Sequence, residues 1–391
     1  MTPGSNKSKN IFVLQPKFRT EEILEEVKVC LDNKWTGMGF KTEEFEARWS
    51  EYTNIPYSHF LSSNTVGLHL ALRILGHYYD WKANDEIITT PLTFVSTNHA
   101  ILYEKLKPVF ADVDESLCIS PASFEDRITE KTKAIMYVGM GGNTGQLDAI
   151  KRICKKRDIR LILDAAHMAG TYVLDDNKEV HVGHEADVTV FSFQAVKNLP
   201  TADSGMICFS RKDYLELCKK LSWLGIDKDT YQRSNPEGGY KWKYNVPHLG
   251  YKYHGNSIMA AIGLVQLKYL NEDNKIRNAI ANFYDDQLKD VDGIRLVRKS
   301  DYCSTSSRHL YQIIVDGKLS RDNLMQRFYD NHIYPGVHYI DNTEYEMYRY
   351  AKNTCPNAKD YSSKLLSLPL HLNLSQEDIQ LVVDILKEEV I

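Results

Sequence analysis

An α/β fold is predicted, with a large, mostly parallel sheet covered by helices on both faces and a smaller α+β unit at the C-terminal end. Between about residues 55 and 210, short apolar runs alternate with amphipathic stretches, the pattern of strands buried on both faces by crossover helices. A long apolar-rich segment starts at residue 258, and from 294 onward the pattern shortens to single strands and helices. At 391 residues the chain has the length for two hydrophobic cores.

Each element has a local reason. The opening MTPGSNKSKN is polar and lacks the apolar core of a signal peptide, so residues 1–10 read as a flexible tail. A large domain is expected over 11–255, and a linking helix with a small C-terminal domain over 256–391. Candidate strands are 59–61, 86–90, 108–112, 133–138, 160–164, 188–192 and 205–209, short runs rich in β-branched and aromatic residues. Between them, 66–77 and 147–157 carry the clearest 3.6-residue periodicity. Residues 226–249 mix charges, glycines and aromatics without a period, and a loop of that length is usually functional. The apolar run 258–269 predicts a buried helix continuing to 288. A strand over 309–315, a helix over 321–331 and a terminal helix over 376–389 follow, the last opened by Ser375-Gln-Glu-Asp378 in the manner of a capping box.

Composition narrows the function. A formal net charge of −4 gives no electrostatic footprint for nucleic acid. Neither a basic amphipathic stretch nor an apolar run approaching the roughly 20 residues of a membrane span is present. Seven cysteines without a CxxC pair fit reduced thiols, and a cytoplasmic protein is expected. No histidine group has metal-ligand spacing: His181 and His184 lack a third partner. The GxSxG elbow of a serine hydrolase and the GxGxxG of a dinucleotide site are absent.

The chemistry-bearing residues fall where strands end, which is where open α/β sheets bind ligands. The run Val188-Thr-Val-Phe-Ser192 leads into a polar loop that holds Lys197, five residues after Ser192. A second run, Arg160-Leu-Ile-Leu-Asp164, ends in a carboxylate with His167 three residues on. A lysine to form a Schiff base, a serine to hold a phosphate and an aspartate to pair with a pyridinium nitrogen are the requirements of pyridoxal phosphate chemistry. The turn after Leu61, Ser-Ser-Asn64-Thr65-Val66, opens a helix whose free N–H groups suit a single phosphate; an ordinary cap by Asn64 or Thr65 is the plainer reading. Phe94 is either a platform for a planar ring or a core aromatic, and His167 is either a ligand to the ring's phenolic oxygen or a satisfied core histidine.

On these residues the chain resembles the sugar-nucleotide aminotransferases of the DegT/DnrJ/EryC1/StrS family, which have the type I fold of PLP-dependent transferases: a seven-stranded, mostly parallel central sheet with a smaller C-terminal α+β domain. The likeness runs from 35 to 391 through TGMGFKTEEFE (36–46), SSNTVGLHLAL (62–72), PLTFVST (91–97), KPVFADVD (107–114), LDAAHMAG (163–170), FSFQAVKNL (191–199), LGYKYHGNSIMAAIGLVQL (249–267), GVHY (336–339) and LSLPLHLNLS (366–375). The resemblance implies pyridoxal 5′-phosphate bound covalently at Lys197, with Asp164 on the pyridinium nitrogen and His167 near the phenolic oxygen. It implies phosphate contacts from Thr65, the Val66 backbone and Ser192, and stacking on Phe94. Lys252, in the GYKY segment, would come from the other chain of a homodimer, and substrate contacts would come from Lys41, His338 and Tyr339. The substrates implied are L-glutamate and a nucleotide-linked keto-sugar, with no metal, nucleic acid or membrane partner.

Three positions depart from the usual family pattern. Gln194 stands where many members have histidine, GYKYHG replaces GYNYRM, and Ile340-Asp341-Asn342 follows GVHY without the common proline. Substrate choice is therefore expected in 227–248, with Lys228, Arg233, Lys241 and Lys243 as candidate diphosphate contacts, and in 338–342. Relatives that remove a hydroxyl as deoxysugar dehydratases carry histidine at the lysine position, so Lys197 points to transamination. A keto-cyclitol acceptor is the main alternative substrate, and a catalytically silent binding protein is the reading from another class.

Overall fold

The computed structural model describes residues 9–176, 178–227, 244–317 and 320–388. The chain opens with β1 (Ile11–Phe12), followed by β2 (Tyr57–Leu61), β3 (Glu86–Thr89), β4 (Lys107–Phe110), β5 (Thr132–Val138) and β6 (Arg160–Asp164). A hairpin of β7 (Tyr172–Asp175) and β8 (Lys178–His181) precedes β9 (Val188–Ser192) and β10 (Gly205–Phe209). Seven of these form the central sheet in the order β2-β10-β9-β6-β5-β3-β4. All neighbours are parallel except β10, which runs antiparallel to both β2 and β9. Each expected strand is present in this sheet; the expected ends at 90 and 112 lie beyond the pairing, in the loops that follow β3 and β4.

Burial on both faces explains the apolar runs. Every residue of β9 and β10 is buried, and the sheet divides one apolar cluster holding Phe191, Ile135 and Leu163 from another holding Val190, Met136 and Ile162. The helix Asn64–Tyr78 packs into the second cluster through Leu68, Leu72, Ile74 and Leu75. Each such side chain is worth about 1.5–3 kcal/mol when fully buried. Its Gly67 permits the close approach: a Cβ there would lie 2.5 Å from Val190 Cγ1.

Two helices that periodicity does not single out, Thr20–Asp32 and Phe40–Thr53, pack on the long helix Ser257–Leu288. That 32-residue helix starts where the Asn256 side chain accepts from Met259 N at 3.0 Å. Its first half, with Ala260 and Leu264, joins the large core, and its second half, with Ile280, Tyr284 and Leu288, joins a third cluster. Around this third cluster lie β11 (Ile294–Leu296), β13 (Tyr311–Val315) and β15 (Leu365–Leu368), an antiparallel sheet in the order β11-β13-β15. The helices Arg321–Asp330 and Gln376–Glu388 cover it. The capping box forms as expected, with Ser375 N donating to Asp378 Oδ2 (2.9 Å) and Asp378 N to Ser375 Oγ (3.2 Å).

The sheets do not follow the expected boundary at residue 11. β1 pairs in parallel with β14 (Ile333–Tyr334), and Leu370 N donates to Val13 O at 3.0 Å, so the first strand packs with the C-terminal unit. Its two residues are too few for periodicity to assign a partner. β12 (Cys303–Thr305) likewise crosses back to pair with β7. Among the described residues no helix is long and apolar enough to cross a membrane.

Gly205 is walled in by main chain near the carboxyl ends of the parallel strands. A Cβ there would meet Asn64 N and Ser63 C at 2.7 Å and Phe191 O at 2.8 Å, all backbone. Gly205→Ala must spread β10 from its neighbours and should cost about 1–3 kcal/mol, read as a lower urea midpoint; an unchanged midpoint would show that the strands give way freely.

Candidate active site

Asp164 is the last residue of β6 and is buried, 3% exposed. Three donors from separate loops hold its carboxylate. Thr97 Oγ1 donates to Oδ2 at 2.8 Å, while Asn64 Nδ2 (3.3 Å) and Ala166 N (3.2 Å) donate to Oδ1. Burial raises its pKa, and the hydrogen bonds from Thr97, Ala166 and Asn64, with the charge of Lys197, work against that rise. A carboxylate offers about four lone-pair positions, so one more donor, such as a protonated ring nitrogen, can be accommodated.

Lys197 follows a tight turn in which its own N–H donates to Gln194 O at 2.8 Å and the Gln194 side chain accepts from Val196 N at 3.1 Å. Gln194 thus shapes the turn. Loss of hydration outweighs attraction to Asp164 and draws the lysine pKa down to about 8. Its Nζ lies 3.3 Å from His309 Nε2. Both expected reactive residues, Asp164 and Lys197, are therefore brought together electrostatically at the carboxyl end of the sheet.

Strand register builds the anion cradle. Gly205 pairs with Ser192 on one side and Leu61 on the other, so Ser192 and the turn carrying Thr65 and Val66 flank one glycine. The helix cap is Ser63, whose Oγ accepts from Val66 N at 3.4 Å, and not Asn64 or Thr65. Asn64 turns inward instead, its Nδ2 reaching Asp164 and Val190 O. A Cβ at Gly205 would fill this cradle. Phe94 is 58% exposed, its ring 6.0 Å from that of Tyr339, which excludes the core-aromatic reading.

His167 spends both ring nitrogens inside the protein. Nδ1 accepts from Gly141 N at 3.2 Å, and Nε2 faces Tyr339 Oη at 3.1 Å. Burial, reinforced by Lys197 and His338, holds it neutral, its pKa well below the ordinary value. His338 places Nδ1 2.9 Å from Ser367 Oγ and is pushed down to about 4 by burial and then by Lys197. Next to Tyr339, Asp341 and Asn342 are buried and structural, since Asn342 ties Asn98, Pro91 O and Thr93 O together. Of 338–342, Ile340 alone is well exposed.

Two expected site residues lie elsewhere in this chain's contacts. Lys41 is buried between Glu26 and Glu44, each 2.8 Å away. Lys252 sits on a segment that pairs with the edge of β2, through Ser62 N to Tyr253 O (2.8 Å), and its Nζ is 3.3 Å from the centroid of the Trp223 ring. Lys228, Arg233, Lys241 and Lys243 lie outside the described residues.

The donor set fits pyridoxal phosphate: an amine near neutrality, a buried carboxylate with a vacant lone pair, an exposed aromatic and an amide-and-hydroxyl cradle. The comparisons decide the matter. The DegT/DnrJ/EryC1/StrS aminotransferase family model matches residues 18–387. The chain belongs to this family. It is a pyridoxal phosphate-dependent aminotransferase of the type I fold. The spore coat polysaccharide biosynthesis protein SpsC of Bacillus subtilis is 32% identical over 377 residues, 94% of each chain. The aminotransferase TlmJ of Streptoalloteichus hindustanus superposes with a TM-score of 0.87 at 30% identity, covering 97% of this chain and 98% of its own. The putative sugar aminotransferase Spr1654 of Streptococcus pneumoniae, in its PLP form, gives 0.87 at 28% identity, covering 98% and 100%.

Asn64, Thr97, Asn198 and His309 are site residues that sequence reasoning did not assign. The first three lie in quoted motifs, and their polar character beside apolar runs was the available signal. Thr97→Val removes the donor to Asp164 Oδ2 while keeping the shape. It should weaken pyridoxal phosphate binding about tenfold or more, as for hydrogen bonds to charged groups, measured by absorbance titration; unchanged affinity would make Thr97 incidental.

Proposed function

We propose that this aminotransferase moves an amino group from L-glutamate to the keto group, at C-3 or C-4, of a deoxysugar carried on a nucleotide. The amino sugar formed would serve a surface polysaccharide or a natural product. The observation that carries the chemistry is the pair of opposed environments: a buried Asp164 held by three donors and a Lys197 drawn down to about 8. The sugar acceptor is supported by the likeness to SpsC, a polysaccharide biosynthesis protein, and to Spr1654, a putative sugar aminotransferase.

When bound, the cofactor supplies an electron sink that stabilises negative charge at the substrate carbon. Asp164 keeps the ring nitrogen protonated and oriented. Ser192, Thr65 and the Val66 N–H would hold the phosphate, and Phe94 would serve as the platform for the ring. Lys197 would anchor the cofactor, and its free amine would take the proton from the α-carbon of the amino donor as general base and pass it on as general acid. His338 and Tyr339 face the substrate. Lys41, compensated by two carboxylates, is left out of this reading.

The active unit in this proposal is a homodimer. Two features support it: Phe94 and Ile340 expose apolar surface, and Lys252 is carried along the sheet edge with its amine over the Trp223 ring of its own chain. A partner's Lys252 would then serve the phosphate.

Borohydride reduction followed by peptide mapping should leave the cofactor on Lys197, and label on another lysine would overturn the assignment. Asp164→Asn keeps shape and loses charge; turnover should fall by roughly two or more powers of ten. A mass-spectrometric screen of keto-sugar nucleotides with glutamate tests the substrate class, and amination of keto-cyclitols alone would replace it.

A further inference from the structure

His309 is buried against Lys197 and has no part in the reading above. A chain of hydrogen bonds determines which of its nitrogens carries the proton. Asn274, on the long helix, donates from Nδ2 to Ala169 O at 2.9 Å. A carbonyl only accepts, so that atom is the amide nitrogen, and Asn274 Oδ1 accepts from Asn198 Nδ2 at 2.7 Å. Asn198 Nδ2 also donates to Ser307 O at 2.6 Å, again a carbonyl. Asn198 Oδ1 is therefore the atom facing His309 Nδ1 at 2.9 Å, and Nδ1 must carry hydrogen. A neutral imidazole protonated at Nδ1 has its lone pair on Nε2, the atom 3.3 Å from Lys197 Nζ. Asn198, Asn274, Ser307 and His309 are all buried, so no water competes for these bonds.

We infer that His309 is a positioning residue for Lys197: its Nε2 lone pair, locked in place by the Asn198–Asn274 amide relay, holds one N–H of the lysine and thereby aims the nitrogen at its reaction partner. The inference rests on Lys197 being the cofactor lysine. His309 does not act as the proton carrier, because burial first, and then the positive charges of Lys197 and Arg277, keep it neutral. The other groups facing Lys197 are Asp164, which favours the ammonium, and the neutral rings of His167 and His338. An accepted N–H stabilises the ammonium modestly, yet it constrains direction strongly, and a nitrogen misdirected by an ångström loses much of its effective concentration.

The test uses the cofactor-free full chain. Trace acylation of Lys197 against pH, read by mass spectrometry, should give a midpoint near 8. His309→Phe keeps the ring volume and removes the acceptor; the ammonium loses a partner, so the midpoint should fall, by about one pH unit. Asn198→Leu removes the atom that fixes the tautomer, should move the midpoint the same way, and should add nothing in combination with His309→Phe. His309→Gln, whose amide oxygen accepts, should recover part of the shift. In the loaded enzyme His309→Phe should lower kcat at nearly constant KM. Nitrogen-15 NMR of the parent imidazole should show the Nδ1–H form, which settles the matter even where a variant fails to fold. An Nε2–H form, or an unmoved midpoint in folded His309→Phe, overturns the inference. Should the relay hold while borohydride places the cofactor on another lysine, the site reading fails and the relay does not.

Discussion

A carboxylate stripped of water is costly unless donors replace the lost hydration, and the burial of Asp164 is the constraint around which the catalytic half of this fold is arranged. Its three donors come from three places: the helix start after β2, the helix start after β3 and the loop after β6. Asn64 must reach across β9, and does so by sharing its amide between Asp164 and Val190 O. That reach needs the backbone at Ser63 and Asn64 to lie against β10, where only a glycine fits. The cradle for an anion and the clamp on the carboxylate are thus one construction. Moving either moves the other.

Lys197 obeys the opposite rule. Burial favours its neutral form, and the three imidazoles nearby are themselves held neutral. Asp164 is the nearby charge that favours the ammonium, and it does not overcome desolvation. An acid whose upward shift is opposed by donors beside a base drawn down by burial is how environment divides roles between titratable groups. Adding a further anion beside the lysine, or removing a donor from the aspartate, would erode that division from either side.

Much of this was legible in the sequence, and the exceptions share a cause. The strands of the central sheet are buried on both faces, so their apolar runs stand out, and Asp164, Ser192 and Lys197 follow them at fixed short distances. Thr65 and Val66 open the helix that follows β2, and Phe94 lies just before the helix that follows β3, so the same strand ends point to their positions. Asn64, Thr97, Asn198 and His309 were not, because each works through a partner 67 to 112 positions away in the chain. The pairing of β1 with β14 spans over 300 residues and leaves no local trace. Lys41, expected at the substrate, is ion-paired with two glutamates, one of them 15 positions away, and that pairing too left no local trace.

The two central histidines carry this logic into the direction of individual hydrogens. His167 accepts a main-chain N–H at Nδ1, so its proton sits on Nε2 and points to Tyr339 Oη. His309 donates at Nδ1 into an amide relay that ends on main-chain carbonyls, so its lone pair sits on Nε2 and points to Lys197. Their rings lie 4.5 Å apart, and their tautomers are opposite. Neither adds charge, yet one pushes a hydrogen bond toward the cleft and the other draws one back. Tyr339, having accepted from His167, keeps its own hydroxyl proton to give, and burial and Asp164 raise its pKa so that the proton stays. Fixed backbone groups thus set a donor at Tyr339 toward the cleft and an acceptor at His309 toward Lys197, without another charged residue.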